Sequence, residues 1–120
     1  MSKPTIGFIG LGLMGGNMVE NLQNKGYELT VMDLNADAVK ACVDRGAKSA
    51  SSAKELAENA DIVMLCLTTS AIVESVMYAE DGIMTGVKEG AVVVDYDGAM
   101  QSLYEDSGIS PEKSIWQILL

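Results

Sequence analysis

The chain has 120 residues, 48 % of them hydrophobic and 21 % charged, which fits one domain with an adequate core and argues against disorder. Eight basic residues against seventeen acidic give a net charge of −9, which repels a phosphate backbone and argues against nucleic acid and anionic membrane as partners. The longest apolar runs, such as IVMLCL, are strand-sized rather than the roughly 18 residues of a membrane span, and MSKPTIGF lacks the basic-then-apolar pattern of a leader, so the expected compartment is the cytoplasm. Cys42 and Cys66 lack CxxC spacing and the chain has no histidine, so buried free thiols are expected rather than a disulfide or a zinc site; no metal is expected.

In chain order, strand-length apolar runs alternate with segments of helical period, the pattern of βαβ units and a parallel sheet covered on both faces. A first strand is predicted over Thr5–Ile9, then a helix from about Leu13 to Lys25 with Met14, Met18 and Leu22 as its inward stripe and Gly26 at its end. The second strand is ELTVMD, Glu28–Asp33. Asn35 can cap a helix whose Val39, Cys42 and Val43 share a face before Gly46 stops it. AKSA is a weak third strand, and Ser52 with Glu55 suggests a capping box for a short helix ending near Asn59, with Leu56 and Ala57 turned to the sheet. Asp61–Leu67 is the fourth strand, Ser70–Tyr78 a helix pairing Ile72 with Val76 and Val73 with Met77, and Ala91–Asp95 the fifth strand. Met14, Met18, Met64 and Met77 are all expected on core faces. These elements make residues 1–95 one unit and leave residues 96–120 as a tail, partly helix-like, whose apolar end (Ile115, Trp116, Ile118, Leu119, Leu120) must pack on the sheet as a helix or added strand, or join a second copy of the chain.

The glycines of IGFIGLGLMGGNM follow the first strand and open the first helix, which is the setting a dinucleotide fingerprint requires. In that role Gly10 permits the tight turn, Gly12 lets a pyrophosphate approach the backbone, and Gly15 lets the helix pack closely, so that the anion meets free N–H groups at the positive end of the helix dipole. The third part of the fingerprint is an acid at the end of the second strand to accept from the adenosine ribose, and Asp33 stands there. Its charge repels a 2′-phosphate and Leu34 follows with no arginine nearby, so NAD is expected and NADP is less suited.

The stretches IGFIGLGLMGGNMVENLQNKGYELTVMDLN and GAKSASSAKELAENADIVMLCLTTSAIVESVMYAEDGIMTGVKEGAVVVD resemble the β-hydroxyacid dehydrogenases, the family of 3-hydroxyisobutyrate dehydrogenase and tartronate semialdehyde reductase, over Thr5–Asp95. The resemblance implies a Rossmann-type α/β fold, a doubly wound parallel sheet truncated here and ending in a short, partly helical tail. It implies that Gly10, Leu11, Gly12, Leu13, Met14 and Gly15 wrap the pyrophosphate, that Asp33 and Leu34 flank the ribose, and that Leu67 and Thr68 lie along the cofactor.

Two departures accompany the likeness. Thr68 replaces the family's usual proline, and DYDGAM puts Asp97 and Gly98 where a serine-threonine segment normally contacts cofactor and substrate. The family also has an all-helical second domain with a catalytic lysine and a nearby asparagine. No counterpart is found here, since Lys3, Lys25, Lys40, Lys48, Lys54, Lys88 and Lys113 all stand in other contexts, and EDSGISPEKSIWQILL resembles the family's last helix joined directly to the fifth strand. The expected function is therefore that of an NAD-binding domain without catalytic residues of its own, acting on a small 3-hydroxy acid only if another chain completes the site. The alternative is a non-catalytic nucleotide-sensing module such as those of potassium transport systems, although their glycine-aspartate-alanine segment after the third strand is replaced by AKSASSAKEL.

Overall fold

The computed structural model describes residues 3–67, 69–95 and 116–118. Strands β1 (Ile6–Ile9), β2 (Leu29–Met32), β3 (Lys48–Ser49), β4 (Ile62–Leu65), β5 (Val92–Asp95) and β6 (Trp116–Ile118) form one parallel sheet in the order β3-β2-β1-β4-β5-β6. The helices among the described residues are α1 (Leu13–Asn24), α2 (Ala36–Asp44), α3 (Ala53–Glu58), α4 (Ser70–Tyr78) and α5 (Ile83–Gly86). The chain winds outward from β1 through β2 to β3, then returns to place β4 on the other side of β1. That reversal opens a crevice at the carboxyl ends of the strands, where ligands bind in sheets of this kind.

Strand alternation sorts the core into two layers. Ile6 and Phe8 of β1 pack with Val19, Leu29, Val31 and Cys42 under α1 and α2. Ile9 turns the other way and joins Leu56, Val63, Leu65, Val73, Met77, Ile83 and Val93 under α3, α4 and α5. Phe8, Val31, Val63 and Val93 are fully shielded from solvent, as strands covered on both faces require. Gly7 points to the second layer, where α3 lies so close that a Cβ on Gly7 would run into the Leu56 side chain and come within 3.3 Å of the Ala60 methyl.

Several sequence expectations need correction. Met14 is 52 % exposed and is no part of the α1 stripe, which runs instead through Gly15, Met18, Val19 and Leu22. The stripe is rotated because Gly15 occupies the helix's contact with the preceding turn, leaving Met14 on the open side. Val43 is also exposed, and α2 buries Cys42 with Ala38 and Val39 partly covered, a narrower face than the spacing suggests. Ile72 is exposed as well: α4 offers Val73 and Met77 to the core, and Val76 only in part. The α3 capping box is half formed: Ser52 Oγ accepts from the Glu55 N–H at 3.1 Å, but the Glu55 carboxylate turns to Ser51 instead of closing on Ser52. The short helix α5 has no counterpart among the sequence expectations. In the tail, Trp116–Ile118 is an added strand at the sheet edge, one of the alternatives expected of its apolar end, pairing Val93 with Trp116 and Asp95 with Ile118, and the rest lies outside the described residues.

At the amino end of the sheet Asp61 holds three elements together. Its carboxylate accepts from the Thr5 N–H at 2.9 Å and the Thr5 hydroxyl at 3.2 Å, and pairs with Lys88 at 2.7 Å, linking the starts of β1 and β4 to the approach to β5. The hydrogen bond from Lys88, followed by those from Thr5, lowers its pKa from 3.8 to about 2.

Both the Asp61 network and the Gly7 contact can be tested by denaturation. Folding lowers the Asp61 pKa, so the stability it contributes is present above pH 3.8 and is lost as pH falls toward about 2. Urea midpoints of the wild type and Asp61→Asn should differ at neutral pH and converge in that acidic window; a constant gap would refute the assignment. Gly7→Ala should destabilise by about 1–3 kcal/mol through overpacking and Leu56→Ala by about 2–5 kcal/mol through its cavity, while the double variant should lose less than their sum because the new methyl enters the vacated space. Additive losses in denaturant titrations would show that the two sites do not meet.

Candidate functional site

The site begins where β1 ends. Gly10 has φ +102°, a region that side chains disfavour, and a Cβ there would run into the Cys66 carbonyl at the end of β4. The turn is hung from both neighbouring strands, with the Gly10 N–H donating to the Met32 carbonyl at 3.1 Å and the Cys66 N–H to the Ile9 carbonyl at 2.9 Å. One turn of helix later, a Cβ on Gly15 would run into the Gly10 carbonyl oxygen and lie 3.2 Å from the Phe8 ring. Helix α1 is thus laid directly on the turn that precedes it.

Gly12 differs from these two. It is the N-cap of α1 with φ −65°, nothing lies within 4 Å of where its Cβ would be, and no side chain caps the first turn. The first-turn N–H groups at that helix end thus have no side-chain cap, and the space beside Gly12 is open, the setting in which a helix start receives an anion. A pyrophosphate fits this cradle by its chemistry, and the absence of a side chain on Gly12 leaves the approach to the backbone open.

Asp33 follows the last residue of β2 and reaches across to the turn. One carboxylate oxygen accepts from the Leu11 N–H at 2.6 Å and the other from the Asn35 N–H at 2.7 Å, while Asn35 Oδ1 caps α2 by accepting from the Asp37 and Ala38 N–H groups. Beside it opens a cleft of about 760 Å³ lined by Ile9, Gly10, Met32, Asp33, Leu34 and Leu67 at the strand ends. Its outer wall comes from the loop after β3, Ala50 to Ala53, and from α4 with the turn that follows it, including Ile72, Ser75 and Asp81. Leu34 is fully exposed and Ile72 is 43 % exposed, so two large apolar side chains stand uncovered at a mainly apolar cleft, as small-molecule sites commonly have them.

Of the residues expected at the site, the fold gathers Gly10, Asp33, Leu34 and Leu67 on the cleft lining. Leu11 is buried between Gly10 and Gly12, and Gly12, Leu13, Met14 and Gly15 continue round the turn into α1, with Leu13 88 % exposed. Thr68, Asp97 and Gly98 lie outside the described residues. The outer wall is not among the sequence expectations. Its signal is indirect: the ends of β3 and β4 flank the crevice, so the residues after them have to form its sides.

Among the described residues, Asp33 and Asp81 are the only charged side chains on the cleft lining, so no cation there would neutralise an additional phosphate. Among the same residues no group of three or more His, Cys, Asp or Glu side chains could hold a metal ion. Neither cysteine is in a disulfide, and burial pushes the Cys42 thiol up despite the nearby Arg45. No helix of the described residues is long and apolar enough to cross a membrane.

Residues 5–105 match the family model described as the NAD binding domain of 6-phosphogluconate dehydrogenase. Among curated relatives, the chain is 42 % identical over 94 residues to a probable mitochondrial 3-hydroxyisobutyrate dehydrogenase of Dictyostelium discoideum, covering 78 % of this chain and 29 % of that protein. It is 39 % identical over 90 residues to the 3-sulfolactaldehyde reductase of Escherichia coli strain K12, covering 75 % of this chain and 30 % of that protein. The chain therefore spans less than a third of the length of these two relatives. Among solved structures, a 3-hydroxyisobutyrate dehydrogenase of Mycobacterium tuberculosis with L-serine superposes with a TM-score of 0.77 at 22 % identity over 98 % of this chain and 39 % of that one. An imine reductase variant from Myxococcus stipitatus in complex with NAD+ gives 0.77 at 17 % identity over 97 % of this chain and 38 % of that one. At these identities the two structures speak for the fold, while the family match rests on the sequence from Thr5 onward. The chain belongs to the family of the NAD-binding domain of 6-phosphogluconate dehydrogenase, and 3-hydroxyisobutyrate dehydrogenases and 3-sulfolactaldehyde reductase are among its sequence relatives.

Proposed function

We propose that the chain binds NAD in preference to NADP and serves as the cofactor half of a 3-hydroxyacid dehydrogenase. The observation that carries this reading is the junction of β1 with α1: Gly10 and Gly15 are compelled by packing, whereas Gly12 has room for a side chain and none is present. Nothing in the fold requires glycine at Gly12, so a ligand that must reach the backbone explains it.

In this reading the α1 N–H groups hold the pyrophosphate, and Leu11, Leu13 and Met14 surround it. Asp33 accepts from the adenosine ribose, Leu34 and Ile72 enclose the base, and Leu67 and Thr68 lie along the remainder of the cofactor. A bound nicotinamide would supply the hydride chemistry. The chain's own residues hold and orient it, and the proton acid or base for a small 3-hydroxy acid comes from another polypeptide segment or chain. A second copy joined through the tail belongs to the same proposal, with β6 at the edge of the sheet. So does a reducing compartment such as the cytoplasm, which suits two cysteines that form no disulfide.

Calorimetric titration tests the proposal directly. Wild-type chain should bind NADH at least about tenfold more tightly than NADPH, because a 2′-phosphate beside Asp33 meets like charge and no cation. Equal affinities would refute the preference, and no binding of either would refute the function. Gly12→Ala should keep the wild-type melting temperature within a few degrees yet lose at least about tenfold in NADH affinity, whereas Gly10→Ala should lose stability because its methyl meets the Cys66 carbonyl. Normal NADH binding by the Gly12→Ala variant would remove the reason for that glycine.

A further inference from the structure

We infer that Asp33 is a positioning residue for the pyrophosphate turn as well as a ribose acceptor, a role that rests on the dinucleotide reading above. A carboxylate offers about four lone-pair sites. Two of them are engaged within the chain, one by the Leu11 N–H at 2.6 Å and one by the Asn35 N–H at 2.7 Å. The two that remain match the two hydroxyls of a ribose. One side chain can thus hold the glycine turn, anchor the segment that caps α2, and accept both hydroxyls, with no lone pair left over.

The brace acts on the turn at its least supported point. Gly10 is fixed from behind by β4 and from the side by the Met32 carbonyl, and Gly15 is fixed by α1, but the segment between them lies between Leu11, tied to Asp33, and the uncapped Gly12. Releasing the Leu11 N–H frees the backbone immediately before the anion cradle. A 2′-phosphate that displaced the Asp33 carboxylate would therefore also loosen the turn that should hold its pyrophosphate.

Asn at this position separates the two roles. Both backbone partners are donors, so an amide, with one accepting atom, satisfies at most one of them, and where that one is Leu11 the bond loses its charge assistance; the brace is weakened even though the side-chain shape is kept. Calorimetry of the wild type and Asp33→Asn with NADH, and with an NADH analogue lacking both adenosine-ribose hydroxyls, reads the difference. If Asp33 only binds ribose, the substitution has no effect on the analogue. If it also positions the turn, the analogue loses about tenfold in affinity, the scale expected for a charge-assisted hydrogen bond.

Amide hydrogen exchange by NMR supplies a readout that needs no ligand. The Leu11 amide should exchange slowly in the cofactor-free wild type and at least about tenfold faster in Asp33→Asn, since the carboxylate is the partner that protects it. Rapid Leu11 exchange in the wild type, or unchanged affinity of Asp33→Asn for the analogue, would overturn the positioning role while leaving NAD binding intact. Failure of the wild type to bind NADH would overturn the cofactor reading itself, and this inference with it.

Discussion

Helix α1 and the turn before it are in contact through backbone alone, because no side chain fits between the Gly10 carbonyl and the Gly15 Cα. That contact fixes the angle at which α1 leaves the sheet, and with it the direction of the N–H groups at the helix start. Gly10 is pressed from the opposite side by the Cys66 carbonyl, so the same turn is clamped between α1 and β4. Its position transmits to the rest of the site. Leu11 is delivered to Asp33, and the crevice between β1 and β4 stays open at its carboxyl end.

A second close approach sets the far wall of the cleft. Gly7 lets α3 settle onto β1 through Leu56, and α3 begins with Ser52 and Ala53, which line the cleft. The backbone N–H of Lys54 donates to the Asp81 carbonyl at 2.8 Å, so the turn after α4 is drawn to the start of α3. Gly82 permits this, since a Cβ there would come within 2.7–2.9 Å of carbonyl oxygens at the end of α4. The wall is thus built from main-chain contacts at small residues, while the fully buried Leu56, Met77 and Ile83 beneath it supply the apolar stability.

The elements are legible in the sequence because each carries a local signal. Asn35 and Ser52 do cap their helices, the apolar runs are the strands, and Gly26 and Gly46 follow the ends of α1 and α2 in left-handed conformations. Helix faces are less legible, because periodicity reports an apolar stripe without saying whether a core or a ligand covers it. Ile72 and Met14 both fit a core stripe by spacing for that reason, and both are exposed, Ile72 on the cleft lining and Met14 in the first turn of α1. The bond from Leu11 to Asp33 spans 22 residues and depends on where two strand ends meet, so no local pattern announces it. The glycine spacing shows the fingerprint, but only the packing distinguishes Gly12 from its neighbours. Of Gly10, Gly12 and Gly15 it is the one that the fold does not need.

Charge poses the last physical problem, since a chain of net charge −9, with Asp33 and Asp81 as the only charged groups on the cleft lining among the described residues, is read as the holder of an anion. Cationic side chains are not the means by which it does so. The attraction comes from oriented N–H groups at the start of α1, fixed partial charges that act within the first helical turn and fall away beyond it. On the proposed placement, a dipole of that range holds a pyrophosphate lying against the backbone but offers little to a phosphate one ribose further out, beside the Asp33 carboxylate. Short-range attraction at one end of the adenosine and full negative charge at the other are the physical basis of the proposed preference for NAD, and both arise because β1 and β2 end side by side.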